Sequence, residues 1–277
     1  MLLERFRKAK EAEVEALHAL EAQGALPAVY EGQRPDFAAA LTLRAPGSPL
    51  AVVAEYKRAS PSRGVICESL AVEDVARQYA AAGASAVSVL TEETFFRGRL
   101  EYLACAADPA LYSGPRVPLL RKDFIFDPLQ VRATAATPAS ALLLIVRLTP
   151  DAATLRALRE QAESYGIQAV VEIFDAEDLR LARESGARII QVNARDLESL
   201  IIDRDACLKL IQACPPANDE LWIAASGMSS AEHLRASAAA GYHAALVGSA
   251  LMEGGAPGEA LAALLGATAK TEGDCTC

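Results

Sequence analysis

The sequence predicts an α/β protein with a (β/α)8 (TIM) barrel and an extra N-terminal helix, on three observations. Eight short apolar runs recur along the 277 residues, helical segments separate them, and charged residues collect where most of the runs end. Most of the runs are almost continuously apolar, which is typical of parallel strands covered on both faces. The predicted strands are Val52–Lys57, Ala86–Thr91, Val117–Lys122, Ala141–Val146, Ala169–Phe174, Ile189–Ala194, Trp222–Gly227 and Ala245–Ala250.

Capping residues mark several helices between these strands. A helix over Val72–Ala82 should end at Gly83, because glycine readily adopts the left-handed conformation that closes many helices. By the same reasoning a helix that begins after Asp175 should end at Gly186. Two further helices are predicted, one with Thr149 as N-cap, Pro150 at its first position and Gly166 after its end, and one with a capping box over Ser229–Glu232 and Gly241 after its end.

The extra helix covers roughly residues 1–23, where charged residues alternate with leucines and one phenylalanine. Residues 1–277 are expected to form a single barrel domain, with residues 267–277 as a flexible tail. An open doubly wound sheet is the structural alternative. Eight strand–helix units without a Gly-x-Gly-x-x-Gly motif after the first strand favour the closed barrel, which typically needs roughly 250 residues.

Composition excludes several classes of partner and site. The net charge is −9 and no basic run stands out, so neither nucleic acid nor an anionic membrane is an expected partner. Six cysteines and three histidines show no zinc-ligand spacing, and no metal site is expected. Reduced cysteines and the lack of a long apolar stretch indicate a cytoplasmic protein. A monomer or a weak homodimer is expected.

The ends of the predicted strands carry the candidate catalytic residues, because the active site of such a barrel lies at the C-terminal ends of its strands. Glu55 and Lys57 are two residues apart and therefore face the same side of the first strand. Lys122 and Glu172 end the third and fifth strands and should reach the same mouth. Two ammonium groups and two carboxylates in one cavity are suited to general acid–base catalysis.

The seventh and eighth strands end differently, in Ser226-Gly227 and Gly248-Ser249. Loops after these two strands often bind phosphate in (β/α)8 barrels, because backbone N–H groups can approach an anion closely there. Each candidate taken alone also has a structural interpretation. A charged residue at a strand end is commonly solvated, Asp123 and Asp196 could cap helices or pair with neighbouring arginines, and the three histidines are expected to be structural or exposed.

Eight motifs between about residues 50 and 255 resemble the indole-3-glycerol phosphate synthase family. The first and third are specific to that family, whereas the last resembles phosphate-binding barrels more generally. The motifs are Ala54–Gly64, Ser88–Glu92 with Phe95–Gly98, Leu120–Pro128, Leu143–Val146, Val171–Ile173, Asn193–Leu197, Ser226-Gly227 and Leu246–Met252.

This resemblance implies a lyase of tryptophan biosynthesis. Its substrate would be 1-(2-carboxyphenylamino)-1-deoxyribulose 5-phosphate, which undergoes ring closure, decarboxylation and dehydration without a metal or organic cofactor. Lys122 would be the general acid of ring closure, Glu172 the general base of dehydration, and Lys57, held by Glu55, a positioning group or proton donor. The substrate-contacting set would be Asn193 and Arg195 for its polar groups, Phe124 for its ring, Ser60 for a polar contact, and Ser226, Gly227, Gly248 and Ser249 for its phosphate.

The sequence departs from the family pattern at a few positions. Ala225 stands where the family usually has a glutamate, and Ala194 where it usually has an asparagine. Ser140 and Arg147 are further departures around the fourth strand. These changes leave open a catalytically weakened barrel that only binds a phosphorylated ligand. An isomerase or epimerase of another phosphate-barrel family is the third possibility. The set of two lysines and two glutamates argues against it, because those families favour other acid–base residues.

Overall fold

A computed structural model describes residues 2–149 and 151–266 of the chain. Its eight parallel strands form a closed barrel, which confirms the predicted fold class. A two-stranded antiparallel hairpin, β2 with β3, stands apart from the barrel after its first strand. The strands are β1 Ala51–Tyr56, β2 Ala59–Ser60, β3 Gly64–Val65, β4 Ala86–Leu90, β5 Leu119–Ile125, β6 Ala141–Ile145, β7 Gln168–Ile173, β8 Ile189–Asn193, β9 Leu221–Ala225 and β10 Ala244–Val247.

Helices follow the barrel strands, and the N-terminal helix α1 precedes them. Within the described residues the α-helices are α1 Leu2–Ala22, α2 Phe37–Ala40, α3 Val72–Ala82, α4 Tyr102–Ala106, α5 Pro128–Ala135, α6 Ala152–Ser164, α7 Ala176–Ser185, α8 Arg204–Ala213, α9 Ala231–Ala240, α10 Ser249–Met252 and α11 Pro257–Leu265. Two short 3-10 turns cover Pro109–Leu111 and Val146–Leu148. No helix in this part of the chain is long and apolar enough to cross a membrane.

Alternation along each strand divides the core into an inner and an outer layer. On β1, Ala51 and Val53 belong to the inner apolar cluster, and Val52 and Ala54 belong to the outer one, beneath the helices. Both layers are almost completely excluded from water. Apolar side chains of the inner layer fill the inside of the barrel.

Several predicted boundaries were wrong by a few residues. The third barrel strand, β5, continues to Ile125, so Asp123 and Phe124 lie on a strand and not in a loop. Asp151, not Thr149, caps α6, since its side chain accepts a hydrogen bond from the Thr154 N–H. Ser230 caps α9 in place of the capping box that was predicted to start at Ser229. Pro150 and the predicted tail at residues 267–277 lie outside the described residues.

The predicted glycine C-caps are confirmed where they close helices. Gly83, Gly186 and Gly241 each follow a helix with a positive φ, of 97°, 85° and 105° respectively.

Four cysteines lie in the described part of the chain, and none of these four forms a disulfide with another.

Candidate active site

The first lysine–glutamate pair lies where β1 meets the barrel mouth. Glu55 continues the inward-facing series of β1, and Lys57 follows the end of the strand with its side chain on the same side. Lys57 Nζ is 2.7 Å from Glu55 Oε1, and the Glu55 side chain is buried. A hydroxyl donor, Ser88 Oγ, lies 3.4 Å from the other carboxylate oxygen of Glu55. Lys57 therefore has a fixed partner at the edge of the cavity.

The second pair faces the first from β5 and β7. Lys122 Nζ lies 3.6 Å from Glu172 Oε2, and Glu172 is almost fully buried. The amide Nε2 of Gln191, on the neighbouring strand β8, donates a hydrogen bond to the same Glu172 oxygen. All four side chains of the predicted acid–base set, from both pairs, border one cavity.

That cavity has an apolar part and a polar part, with empty volumes of about 740 and 940 Å³. The two parts share Glu55, Lys57, Lys122, Glu172, Asn193, Arg195, Ser226 and Ser249. Phe6, Phe96, Phe124, Leu143, Ile145 and Leu197 border the apolar part. Gly227, Gly248, Arg63 and Arg204 border the polar part. An elongated ligand with one aromatic and one anionic end matches this division.

The turns after β9 and β10 approach the polar part with their backbones. Ser226 and Gly227 have positive φ angles of 67° and 72°, and a Cβ on Gly227 would lie 2.7 Å from a methyl carbon of Ile202. A Cβ on Gly248 would collide with the Glu55 carboxylate. A non-glycine residue in the left-handed region is uncommon and is concentrated at functional sites. Only glycine fits at the two positions without displacing a neighbour.

Hydrogen bonds connect the polar residues of β8 to the turn after β9. Asn193 Oδ1 accepts hydrogen bonds from Ser226 Oγ at 2.7 Å and from the Arg195 backbone N–H at 3.0 Å. The Arg195 guanidinium donates to the Leu200 carbonyl at 3.0 Å. Burial, together with the nearby Arg63 charge, lowers the pKa of Arg195. Two guanidinium groups near each other, partly excluded from water, favour a bound anion between them.

Ser60 and Phe124 complete the set of predicted site residues. Ser60 Oγ is buried and makes no hydrogen bond within the described residues, although Ser60 borders the cavity. Phe124 is stacked on Phe6 of α1, with 4.2 Å between the ring centroids and 11° between the ring planes. The N-terminal helix thus supplies part of the cavity wall.

Two charged neighbours of Lys122 pair with each other under α1, and one of them, Asp123, also borders the apolar part of the cavity. Asp123 contacts Arg121 Nη2 at 2.9 Å and Lys10 Nζ at 3.2 Å, and it accepts a hydrogen bond from Thr91 Oγ1. Burial alone would raise the pKa of this carboxyl, but the Arg121 and Lys10 charges outweigh it and lower the pKa to about 2. The proposed pairing of Asp123 with Arg121 is confirmed. Asp196 instead accepts backbone hydrogen bonds from Glu198 and Ser199.

Sequence reasoning missed three polar or aromatic groups at the cavity. Phe6 comes from a helix far away in the sequence, and Gln191 sits inside an apolar run that looked like ordinary core. Glu92 borders the apolar part, where its carboxylate accepts three backbone hydrogen bonds from Thr94, Phe95 and Phe96. Its position directly after a strand was the available signal. No cluster of metal-ligating side chains occurs among residues 2–149 and 151–266.

Comparison with known proteins identifies the family. The model of the indole-3-glycerol phosphate synthase family matches residues 3–264. The chain belongs to this family. An indole-3-glycerol phosphate synthase from Roseiflexus sp. (strain RS-1) is 44% identical over 218 residues, which cover 78% of this chain and 80% of that protein. The family member from Chloroherpeton thalassium is 42% identical, with the same coverage of both chains.

Solved structures of more distant proteins share the fold alone. The 3-hexulose-6-phosphate synthase from Salmonella typhimurium superposes with a TM-score of 0.57 at 16% identity, covering 78% of this chain and 98% of that one. Thiamine phosphate pyrophosphorylase from Pyrococcus furiosus gives a TM-score of 0.56 at 15% identity, covering 79% and 96% of the two chains.

The departures from the family pattern differ in where they lie. Ala225 belongs to the inner layer and borders the polar part of the cavity, where it contributes only a methyl group. Ala194 belongs to the outer layer and is buried beneath the helices. Arg147 donates to Asp175 and Asp178 and lies over the Phe174 ring. Of these three departures from the family, only Ala225 changes the cavity wall.

Proposed function

We propose that this chain converts 1-(2-carboxyphenylamino)-1-deoxyribulose 5-phosphate into indole-3-glycerol phosphate, carbon dioxide and water. One observation carries the proposal beyond family membership. The pairs Glu55–Lys57 and Glu172–Lys122 border one cavity together with the two glycine turns. This arrangement supports the proposal, because a long substrate needs acid–base groups at one part and anion-binding groups at another part.

Lys122 is the proposed general acid of ring closure. The ring carbon that bears the carboxylate attacks the ribulose carbonyl carbon, and the carbonyl oxygen takes a proton from Lys122 Nζ. Loss of carbon dioxide from that ring carbon returns its bonding electron pair to the ring. Glu172 then accepts a proton from the carbon next to the nitrogen, while the new hydroxyl takes a proton from the other cavity ammonium group, Lys57, and leaves as water. The 3.6 Å separation of the two groups lets both act at one reacting centre.

Lys57 is proposed to position the substrate or to donate a proton, with Glu55 as its fixed partner. Asn193 and Arg195 orient the polar groups of the substrate, and the unpartnered Ser60 hydroxyl makes one further polar contact. Phe124 and the aliphatic side chains near it surround the aromatic ring. Ser226, Gly227, Gly248 and Ser249 bind the phosphate through backbone N–H groups and hydroxyls.

Turnover of the authentic substrate tests the proposal directly. Purified wild-type protein should produce the fluorescence of indole-3-glycerol phosphate from the ribulose-linked anthranilate, without an added metal or organic cofactor. The gene should also restore the growth of a tryptophan auxotroph that lacks this step. Wild-type protein that folds but gives no product would contradict the assignment.

A catalytically weakened ligand-binding barrel is the second candidate, and Ala225 is the observation that favours it. A methyl group at this wall of the cavity supplies neither a charge nor a hydrogen bond. Tight binding of the substrate without turnover, measured by calorimetry, would support this candidate over the synthase.

We also propose that residues 1–277 form one domain, located in the cytoplasm, as a monomer or weak homodimer. The family model that spans residues 3–264 supports the single domain. Light scattering behind a size-exclusion column at several concentrations tests the oligomeric state. A stable larger assembly at low concentration would contradict it.

A further inference from the structure

Gln191 makes an unusual set of contacts on the floor of the polar part of the cavity. It lies on β8, its side chain is fully buried, and it borders the cavity beside Lys122, Glu172 and Ala225. Its Nε2 donates to Glu172 Oε2, whereas its Oε1 is buried and has no hydrogen-bond partner within the described residues. Half of the amide is therefore satisfied and half is not.

The orientation of this amide follows from the chemistry of Glu172. A carboxylate only accepts hydrogen bonds, so an amide oxygen turned towards it would be repelled. The nitrogen must face Glu172, and the oxygen is then left without a donor. A buried acceptor without a partner destabilises a protein, and an apolar side chain of similar size would avoid this penalty. Gln191 therefore does not improve the packing of the barrel, and its contact with Glu172 is what distinguishes it from an apolar residue.

That contact determines which oxygen of Glu172 is free. Lys122 Nζ and Gln191 Nε2 both approach Oε2, from β5 and β8 respectively. No hydrogen bond to Oε1 occurs among the described residues. The Gln191 hydrogen bond and the Lys122 charge therefore act on the same oxygen and leave the second oxygen available to accept a proton.

We propose that Gln191 is a positioning residue, which holds Glu172 by Oε2 so that Oε1 takes the proton lost during dehydration. This inference rests on the proposed function, in which Glu172 is the general base. Gln191 acts through Glu172 and needs no contact with the substrate. Its loss should reduce the rate of the chemical step and have little effect on substrate binding.

The substitution Q191L tests this role, because leucine is apolar and of similar size. We expect kcat to fall about 10- to 100-fold, as for the loss of a hydrogen bond to a charged group, while KM changes less than about threefold. The melting temperature should stay within about 2 °C of wild type, since removal of the unpaired acceptor offsets the lost hydrogen bond.

Gln130 provides a matched control for stability. It is equally buried, but its Oε1 accepts from the Phe126 and Asp127 N–H groups and its Nε2 donates to the Phe124 carbonyl. Q130L leaves three backbone groups unpaired and should lower the melting temperature by more than about 4 °C. If Q191L is destabilised as strongly as Q130L, and kcat and KM worsen together, Gln191 is merely structural and the inference is wrong.

A second variant, Q191E, gives a signature that a structural role would not produce. The new carboxyl keeps the shape of the amide but donates a hydrogen bond to Glu172 only when it is protonated. The other charged groups around this part of the cavity are Lys122, Lys57, Glu55, Arg195, Arg63, Arg204 and Glu253. Because two adjacent carboxylates resist joint ionisation and share a proton, the ratio of Q191E to wild-type kcat should rise as the pH falls.

The outcomes separate this inference from the proposed function. An inactive wild-type protein overturns both. An active wild type with unchanged kcat in Q191L overturns only the role of Gln191, and so does a Q191E ratio that does not vary with pH. Loss of kcat in a stable Q191L, with a pH-dependent Q191E ratio, supports it.

Discussion

Three consecutive residues of β5 belong to two groups of charges that differ in burial, in number of partners and in access to the cavity. Arg121 and Asp123 point from β5 towards α1 and form a closed cluster with Lys10, in which each charge has several partners. Lys122, between them, points into the mouth of the barrel, where its Nζ lies 3.6 Å from Glu172 Oε2. Strand alternation alone produces this division.

The difference shows that burial of charge does not by itself identify an active site. The cluster under α1 is the more deeply buried of the two, and although Asp123 borders the apolar part of the cavity, its carboxylate is already paired with Arg121, Lys10 and Thr91. The cavity groups have fewer partners and face space that a ligand can occupy. Incomplete pairing beside an open cavity is therefore the better indicator of function in this molecule.

The largest expected effect concerns Lys122. K122M keeps much of the side-chain volume but removes the proton donor, so we expect kcat/KM to fall at least about 10³-fold. The unfolding free energy should change by less than about 1 kcal/mol, because the side chain is only partly buried. Circular dichroism and urea unfolding provide the control. Substantial remaining activity would show that Lys122 is not the general acid.

D123N should affect stability more than catalysis, in contrast to K122M. Removal of this charge leaves Arg121 and Lys10 buried with less compensation, which we expect to lower the unfolding free energy by about 3–5 kcal/mol. Activity should decline mainly because less protein is folded. A loss below about 1 kcal/mol in urea unfolding would mean that the cluster under α1 is not structural.

The sequence was sufficient for the fold and for the residues that follow strand alternation. Eight apolar runs predicted the barrel, and the two-residue spacing of Glu55 and Lys57 predicted their shared direction. Lys122 and Glu172 could be assigned to the same mouth because parallel strands end at the same rim. These inferences need only the period of a strand and the topology of the barrel.

Contacts made by distant segments could not be predicted in this way. Phe6 stacks on Phe124, and nothing in the α1 sequence indicates which ring it meets. Nothing in the α1 sequence indicates that Asp123 and Glu13 hold Lys10 in the interior. Gln191 lies in an apolar run, and its partner Glu172 is on another strand, so the sequence does not show that the two side chains meet. The helix caps at Asp151 and Ser230 were missed by one or two residues, since several oxygen-bearing side chains compete there.

Acid unfolding can sharpen the comparison between the two groups. The folded-state pKa of Asp123, about 2, lies below that of an unfolded aspartate, so its ionisation stabilises the folded protein above about pH 4. This contribution, about 2 kcal/mol, is lost as the pH falls through 2. The difference in unfolding free energy between wild type and D123N should therefore become smaller as the pH falls. The difference between wild type and K122M should not show this pH dependence. Urea unfolding between pH 5 and 2 provides the measurement, and a constant D123N gap would contradict the assigned cause.

The smallest effect is expected at a third ion pair, which lies at the rim of the mouth. Arg63, between β2 and β3, pairs with Glu253 in the loop after α10, and both side chains are about half exposed. Water screens such a pair, so E253Q should change the unfolding free energy by less than about 1 kcal/mol. Both residues border the polar part of the cavity, and removal of a carboxylate there should lower KM for a phosphorylated substrate, more so at low salt. Urea unfolding beside D123N and kinetics at two ionic strengths test this prediction. If E253Q lowers the unfolding free energy by more than about 2 kcal/mol, solvent exposure does not explain why the Arg63–Glu253 pair should matter less than the cluster under α1.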